Sequence, residues 1–586
     1  LRSENMTFDR GDQIGTNVFG NGTGGNINIT VRDTALITDI GPLGMSSLLS
    51  SVDPLGTGDT GRISLNAGQL TVEEGALTRT ANFTQGVAGA IALNADQINL
   101  RDTNNPPSTA QPNEAPQQIV PPARIDSITT GRTGEQGEPL SVNAQQFNVT
   151  GGAQLVTVTL GEGTAGDVNI TAEEARLSGV SFSPSDISNS GPSLIATVVS
   201  PEATGDSGDL TVNARRLSVV DGGQIGTATL GSGNTGNLTV SSKTIDIAGL
   251  SFGGRSGLFS TALNGTGSGG SLVINTDSLN IRDGGAVSAS NFNSLRRSFL
   301  PPGQGSTSNL DINASIIRLN NNSLISADTV TGDRGNITLN TNLLSLRNGS
   351  RVTTAATGEA TGGNIQINAP DGFVVAVPEE NSDITANAVF GDGGSVSISA
   401  QAVIGIEQNA SPTGASDITA SSDFGADGET RLNTLNPEIR QEASALPQSL
   451  AMPAVAQGCK ASISGRFVQT GRGGVSTTPY GILNSRSSLA DVSLPTTLNT
   501  DAAAETAASQ GTLHLPEPAA SPTANNVPVD NVPTDNVPTD NVPTDNAPAT
   551  PEQEAQAWAF NRNGEVVLLA ETIATTENER CLDWRS

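Results

Sequence analysis

Apolar and polar residues alternate with period two in short runs that return along most of the chain. In Gly335-Asn336-Ile337-Thr338-Leu339-Asn340, Ile337 and Leu339 fall on one face of a strand and Asn336 and Thr338 on the other. A near copy, Gly363-Asn364-Ile365-Gln366-Ile367-Asn368, stands 28 residues further on. Other copies open at Gly25, Gly61, Gly89, Gly166, Gly208, Gly236, Gly270 and Gly394, with weaker ones at Leu140 and Ser308. The 28-residue spacing also separates Gly61 from Gly89 and Gly208 from Gly236, and it is longer elsewhere.

Two more alternating runs follow each copy. Leu343, Leu344 and Leu346 come after the first, then Val352 to Ala355; Leu238 and Val240 are followed by Ile245 and Ile247, then by Leu258 to Leu263. Three short strands and three turns per period predict an all-β chain wound into a right-handed parallel β-helix, with rungs stacked about 4.8 Å apart. A β-sandwich needs no such period, and a four-stranded propeller blade takes about 40 residues. Residues 20–425 are expected to form about 12 rungs, a rod of roughly 60 Å. Ile337, Leu339, Ile365 and Ile367 are expected to stack in its core, with Gly and Asn at the corners for their turn dihedrals.

Interruptions divide the rest. Asp39 to Pro54 reads as a wide insertion, and residues 102–124 and 291–305, with Pro106-Pro107, Pro121-Pro122 and Pro301-Pro302, read as side loops. The repeat is assigned to 1–435. A post-helix segment with Cys459 follows over 436–496. Residues 497–550 form a low-complexity linker of Asn-Val-Pro-Thr-Asp copies, too rich in Pro and Asp to pack. Over 551–586, Ala557 to Phe560 and Glu565 to Ala570 around Asn561 to Gly564 predict a small β-hairpin.

Composition narrows the function. With 67 Gly, one His, three Met and 3% aromatics, the core is aliphatic and rings for stacking on sugars are scarce. A net charge of -29 disfavours nucleic acid and anionic membranes as partners. No run of 18 apolar residues offers a membrane span. The chain opens inside a rung, so it is expected to be the C-terminal part of a longer protein whose start carries the export signal.

Candidate chemistry is sparse. Glu73-Glu74, Glu173-Glu174 and Glu379-Glu380 are adjacent pairs in distant rungs, so the members of each are expected to face opposite ways. A glycan lyase or hydrolase would need converging carboxylates instead. The single His514 lies in the linker. Asp221-Gly222-Gly223 and Asp283-Gly284-Gly285 recur at one phase, and structural turns are favoured over calcium sites because the calcium-binding nonapeptide array is missing. No catalytic, metal or cofactor site is expected, and the chain is read as a non-enzyme. Strands ending Ser288-Ala289-Ser290 and Ser326-Ala327-Asp328 would stack into a flat hydroxyl-rich face, a fair surface for adhesion and equally a plain wall.

The Gly-Asn-Ile rungs with Asp-Gly-Gly turns resemble the filamentous haemagglutinin family of exoproteins, its cyanobacterial members most of all. Ser464-Gly465-Arg466-Phe467 running into Thr470-Gly471-Arg472-Gly473-Gly474-Val475 resembles the tail of that family. So does Glu554 to Trp558 through Asn563 to Ala570. The resemblance covers about 1–475 and 551–586. It implies two-partner secretion through an outer-membrane transporter, engaged by an N-terminal domain with no counterpart here. It also implies a place at the cell surface or outside it, and attachment to a glycan or protein ligand. A structural surface-layer or matrix protein is the alternative, and a polysaccharide-acting enzyme a more distant one. Cys459 and Cys581, the two cysteines, could pair outside the cytoplasm, or both thiols could be free.

Overall fold

The computed structural model describes residues 1–42, 44–102, 121–181, 191–251, 253–291, 302–332 and 334–434, with the strands Ala557–Phe560 and Val566–Leu569. The chain divides into two units, Leu1–Gln457 and Gly458–Ser586.

In the first unit a parallel β-helix of about 13 turns is built from two ladders. One ladder carries long strands such as Leu210–Val220, the other short strands such as Gln224–Thr229. Every long strand pairs with its equivalent in the next rung: Leu210 with Leu238, Leu238 with Leu272, Leu272 with Leu310. The expected core holds. Ile337 and Leu339 stand opposite Ile365 and Ile367, and all four are buried. The stack begins inside a rung at the first residues, as expected: Arg2–Ser3, Met6–Phe8 and Gln13–Val18 already pair with the following rung.

Two strands per rung are seen more often than three. The first and second predicted runs join into one strand of 11 residues, bent at a corner position such as Arg215 that drops out of the pairing. A corner repeated at the same place in every rung lets the ladder continue around it. Residues 337–347 keep the break, as Ile337–Asn340 and Leu343–Arg347.

The Asp39 to Pro54 insertion is smaller than expected. Ile40–Gly41 and Gly44–Met45 form a minute antiparallel pair, whereas Ser47–Val52 is a full member of the short-strand ladder. Leu48 points into the core and fixes that register. Similar antiparallel pairs leave the same corner at Val180–Ser181 with Gly191–Pro192 and at Leu250–Ser251 with Gly254–Arg255. Most of the two proline-bounded side loops lies outside the described residues.

The motif glycine has a cause other than turn dihedrals. Gly236 is absent from the residues of positive φ, but a Cβ there would fall inside van der Waals contact with the Gly208 carbonyl oxygen. The same holds at Gly270 against Gly236 and at Gly363 against Gly335. The column is glycine because consecutive rungs touch backbone to backbone. Positive φ is concentrated at the other corner, where Asp221 and Gly222 sit at 53° and 93°.

In the second unit, Ala557–Phe560 pairs antiparallel with Val566–Leu569, Trp558 in register with Leu568, as the alternation predicts.

Candidate functional site

Stacking turns each strand position into a column. Outward columns on the bent strands are joined by side-chain amides. Asn313 donates from Nδ2 to Asn275 Oδ1 at 3.0 Å, Asn340 to Asn313 at 2.7 Å and Asn368 to Asn340 at 2.8 Å. At the glycine corner a side-chain oxygen accepts the N–H of the next rung instead. Asp209 Oδ1 takes Asn237 N–H at 2.7 Å, and Asn237 Oδ1 takes Ser271 N–H at 3.0 Å.

Hydroxyls divide between the faces of the short-strand ladder. Ser288 and Ser326 face outward as expected and bond one another at 2.8 Å, yet both are almost fully buried. In earlier rungs the hydroxyls of Ser50, Thr80, Ser127, Thr197 and Thr227 point inward. There they bond neighbouring rungs: Thr80 to Ser127 at 3.2 Å, and Ser50 Oγ accepting Gly61 N–H at 3.0 Å. The expected hydroxyl face is therefore largely internal bonding.

The paired glutamates are not gathered. Glu73 pairs with Arg101. Glu173 and Glu174 both face solvent, contrary to strict alternation, because they straddle the bend. Arg215 Nε stands 2.8 Å from Glu173, and Arg216 Nη1 2.8 Å from Glu174. Arg347 takes both oxygens of Glu380 at 2.7 Å. That hydrogen-bonded guanidinium holds the Glu380 carboxyl below the usual carboxylate range.

Asp221 and Asp283 occupy the turns expected of them. They line a groove of about 410 Å³ with Arg176, Asp246 and Arg282. Arg282 bridges Asp246 at 3.1 Å and Asp283 at 2.8 Å. Hydrogen bonds from Asn321 and Arg282 lower the Asp283 carboxyl. Among the described residues no group of three or more His, Cys, Asp or Glu is placed to hold a metal. Cys459, Cys581 and His514 lie outside the described residues.

A second groove, of about 530 Å³, escaped the sequence analysis. Thr276, Asn313, Ser315, Asn340, Asn342 and Asn368 are among its lining residues, and none of the lining is charged. It forms where the long-strand bend is irregular. The strand breaks between Asn340 and Leu343, and in the next rung Pro370, Asp371 and Gly372 stand against the single Gln401. Beyond this bulge Phe373 is 39% exposed, in register with Leu343 and, one rung further, Ile316. Phe373 N–H donates to the Asn342 carbonyl at 2.9 Å. Pro370 interrupting an alternating run was the available signal.

No protein-family model, no curated protein and no solved structure matches the chain.

Proposed function

We propose that the chain works outside the cell, as the adhesin-like rod of a filamentous haemagglutinin-type exoprotein. The observation that carries the proposal is the continuous stack of about 13 turns whose outward columns are amides and ion pairs matched between rungs. Each rung is completed by its neighbour, so the stack lengthens without a new core, and loops vary at one corner without disturbing it. Such a chain suits export through an outer-membrane transporter, because rungs can add one after another as the chain emerges. The resemblance of the rungs and tail to that family supports the same reading.

Glycan cleavage is less well supported. Asp246 and Asp283 do meet at Arg282, but the lowered Asp283 carboxyl lacks the raised pKa of a general acid. A passive matrix role would use the same rod and differ in having no ligand.

Protease shaving of intact cells making the full-length protein tests the proposal, read with antibodies against the β-helix and beside an attachment assay. The expected result is cleavage before lysis, with weaker attachment after deletion of the gene. Epitopes protected until the cells are broken would overturn it.

A further inference from the structure

We propose that the charge-free groove at the Asn340 break is a binding site for an uncharged polysaccharide. The inference deepens the attachment reading and rests on it for biological meaning, while the binding chemistry stands on the groove itself.

The amides are held in place before any ligand arrives. Asn313, Asn340 and Asn368 each spend one N–H on the previous rung, at 3.0, 2.7 and 2.8 Å. One donor hydrogen and one oxygen lone pair then remain on each amide for a partner. A vicinal diol offers the matching acceptor and donor to one amide edge. Fixing the rotamers in advance removes part of the ordering cost of binding. Asn342 and Ser315, both exposed at the bend, add further polar groups.

An apolar column runs three residues further along the strands than Asn313 and Asn340, outside the lining of the groove itself. Ile316, Leu343 and Phe373 occupy one outward column immediately past the bend, and Phe373 is the exposed ring of the three. A pyranose presents hydroxyls at its edge and C–H bonds on its face. A row of amides next to an apolar column with an aromatic ring meets both. At about 530 Å³ the groove is wide, shallow and open, a shape that meets the side of a polymer rather than enclosing a small ligand.

Charge decides the class of glycan. The chain carries a net charge of -29, and the lining offers no cation to hold a carboxylate or sulfate. In the other groove the charges of Arg282, Asp246 and Asp283 are engaged with one another. An anionic polymer would meet long-range repulsion and no pairing partner, whereas a neutral one forfeits nothing.

The test uses the purified full chain in affinity electrophoresis and titration against neutral glucan, mannan and galactan, with a polyuronate and a sulfated glycan for comparison. The expected result is retention by at least one neutral polymer and by neither charged one. Phe373→Ala and Asn342→Ala should each weaken that retention about tenfold. Both residues are exposed, so circular dichroism melting should not move. Arg176→Ala, in the other groove, should leave binding intact. Retention of charged polymers only, no retention of any neutral polymer, or undiminished binding by both groove variants would overturn the inference. If shaving places the protein at the surface and neutral polymers still fail, the groove assignment falls alone. If neutral polymers bind a protein that shaving never reaches, the attachment reading falls alone.

Discussion

Arg79 grips Asp126 of the next rung with two hydrogen bonds of 2.6 Å, from Nε to Oδ1 and from Nη2 to Oδ2, on the outer face of the short-strand ladder. Asp126 is completely buried and Arg79 largely so. Removing Arg79 leaves the buried Asp126 with the more distant Arg124 Nε, 3.6 Å away, and breaking a buried pair from one side costs up to about 3–5 kcal/mol. Arg79→Met should therefore collapse hydrogen-exchange protection over 77–82 and 124–129. The double variant Arg79→Met/Asp126→Leu should recover most of it. Equal loss in the single and double variants would show that the pair is not what holds these rungs.

Ile365 is stacked between Ile337 and Val396 and almost wholly buried. Ile365→Asp places an unpaired carboxylate among aliphatic side chains. A loss of more than about 4 kcal/mol is expected, in the exceptional range for one substitution. Limited proteolysis should find new cuts within 335–400, with the rungs before Gly270 spared, because a solenoid couples mainly to its neighbours. Unchanged thermal melting would count against the register.

The two kinds of glycine separate by what replaces them. Gly236→Ala pushes a methyl group into the Gly208 carbonyl, and overpacking of this kind costs about 1–3 kcal/mol. At Gly284, with φ of 80° and only ordinary contact distances around the place of a Cβ, the backbone itself disfavours any side chain. Asn should be tolerated better than Ala there because it visits the left-handed region more readily. At position 236 Asn should be worse than Ala, because it is larger. Urea midpoints for the four variants check the crossover.

Burial pushes the Asp328 carboxyl up to about 7, against hydrogen bonds from Ala355 N–H and Thr353 Oγ1 that favour its ionised form. The unfolded carboxyl titrates near 3.8. Below about pH 4 both states hold the proton and there is no penalty. Between about pH 4 and pH 7 only the folded state retains it, so stability falls as pH rises, by at most about 4 kcal/mol in all. Above pH 7 the loss is complete. Asp328→Asn keeps an acceptor for both donors and should gain on the parent protein steadily from pH 5 to about pH 7, then hold a level advantage above it. A constant difference between their melting temperatures across that range would contradict this.

The parallel stack was legible because one physical constraint, an apolar position every second residue on each strand, repeats rung after rung. Ile337 over Ile365 could be placed from spacing alone. The bend was not, since a strand turning a corner keeps its alternation on both sides and loses it only at the corner. Glu173 and Glu174 straddle that point, and alternation misassigned one of them. Inward hydroxyls such as Thr80 were also hidden: Ser and Thr read as surface until the neighbouring rung supplies their partner. The amide groove escaped because it comes from a break in one rung and a bulge in the next, and neither changes the apolar count.

Because rungs pair only with the rung before and the rung after, the backbone hydrogen bonds of the parallel ladders lie along the stacking direction. Tension applied along that direction loads them a rung at a time, in peeling rather than in shear. Each 28-residue rung that lets go frees about 95 Å of extended chain. Longer rungs free more. In the attachment role proposed above, such a stack would yield by small successive increments, so that a sudden pull is absorbed as length before it reaches either end. Optical-tweezer traces should show this as a train of low-force steps, the shortest close to that length.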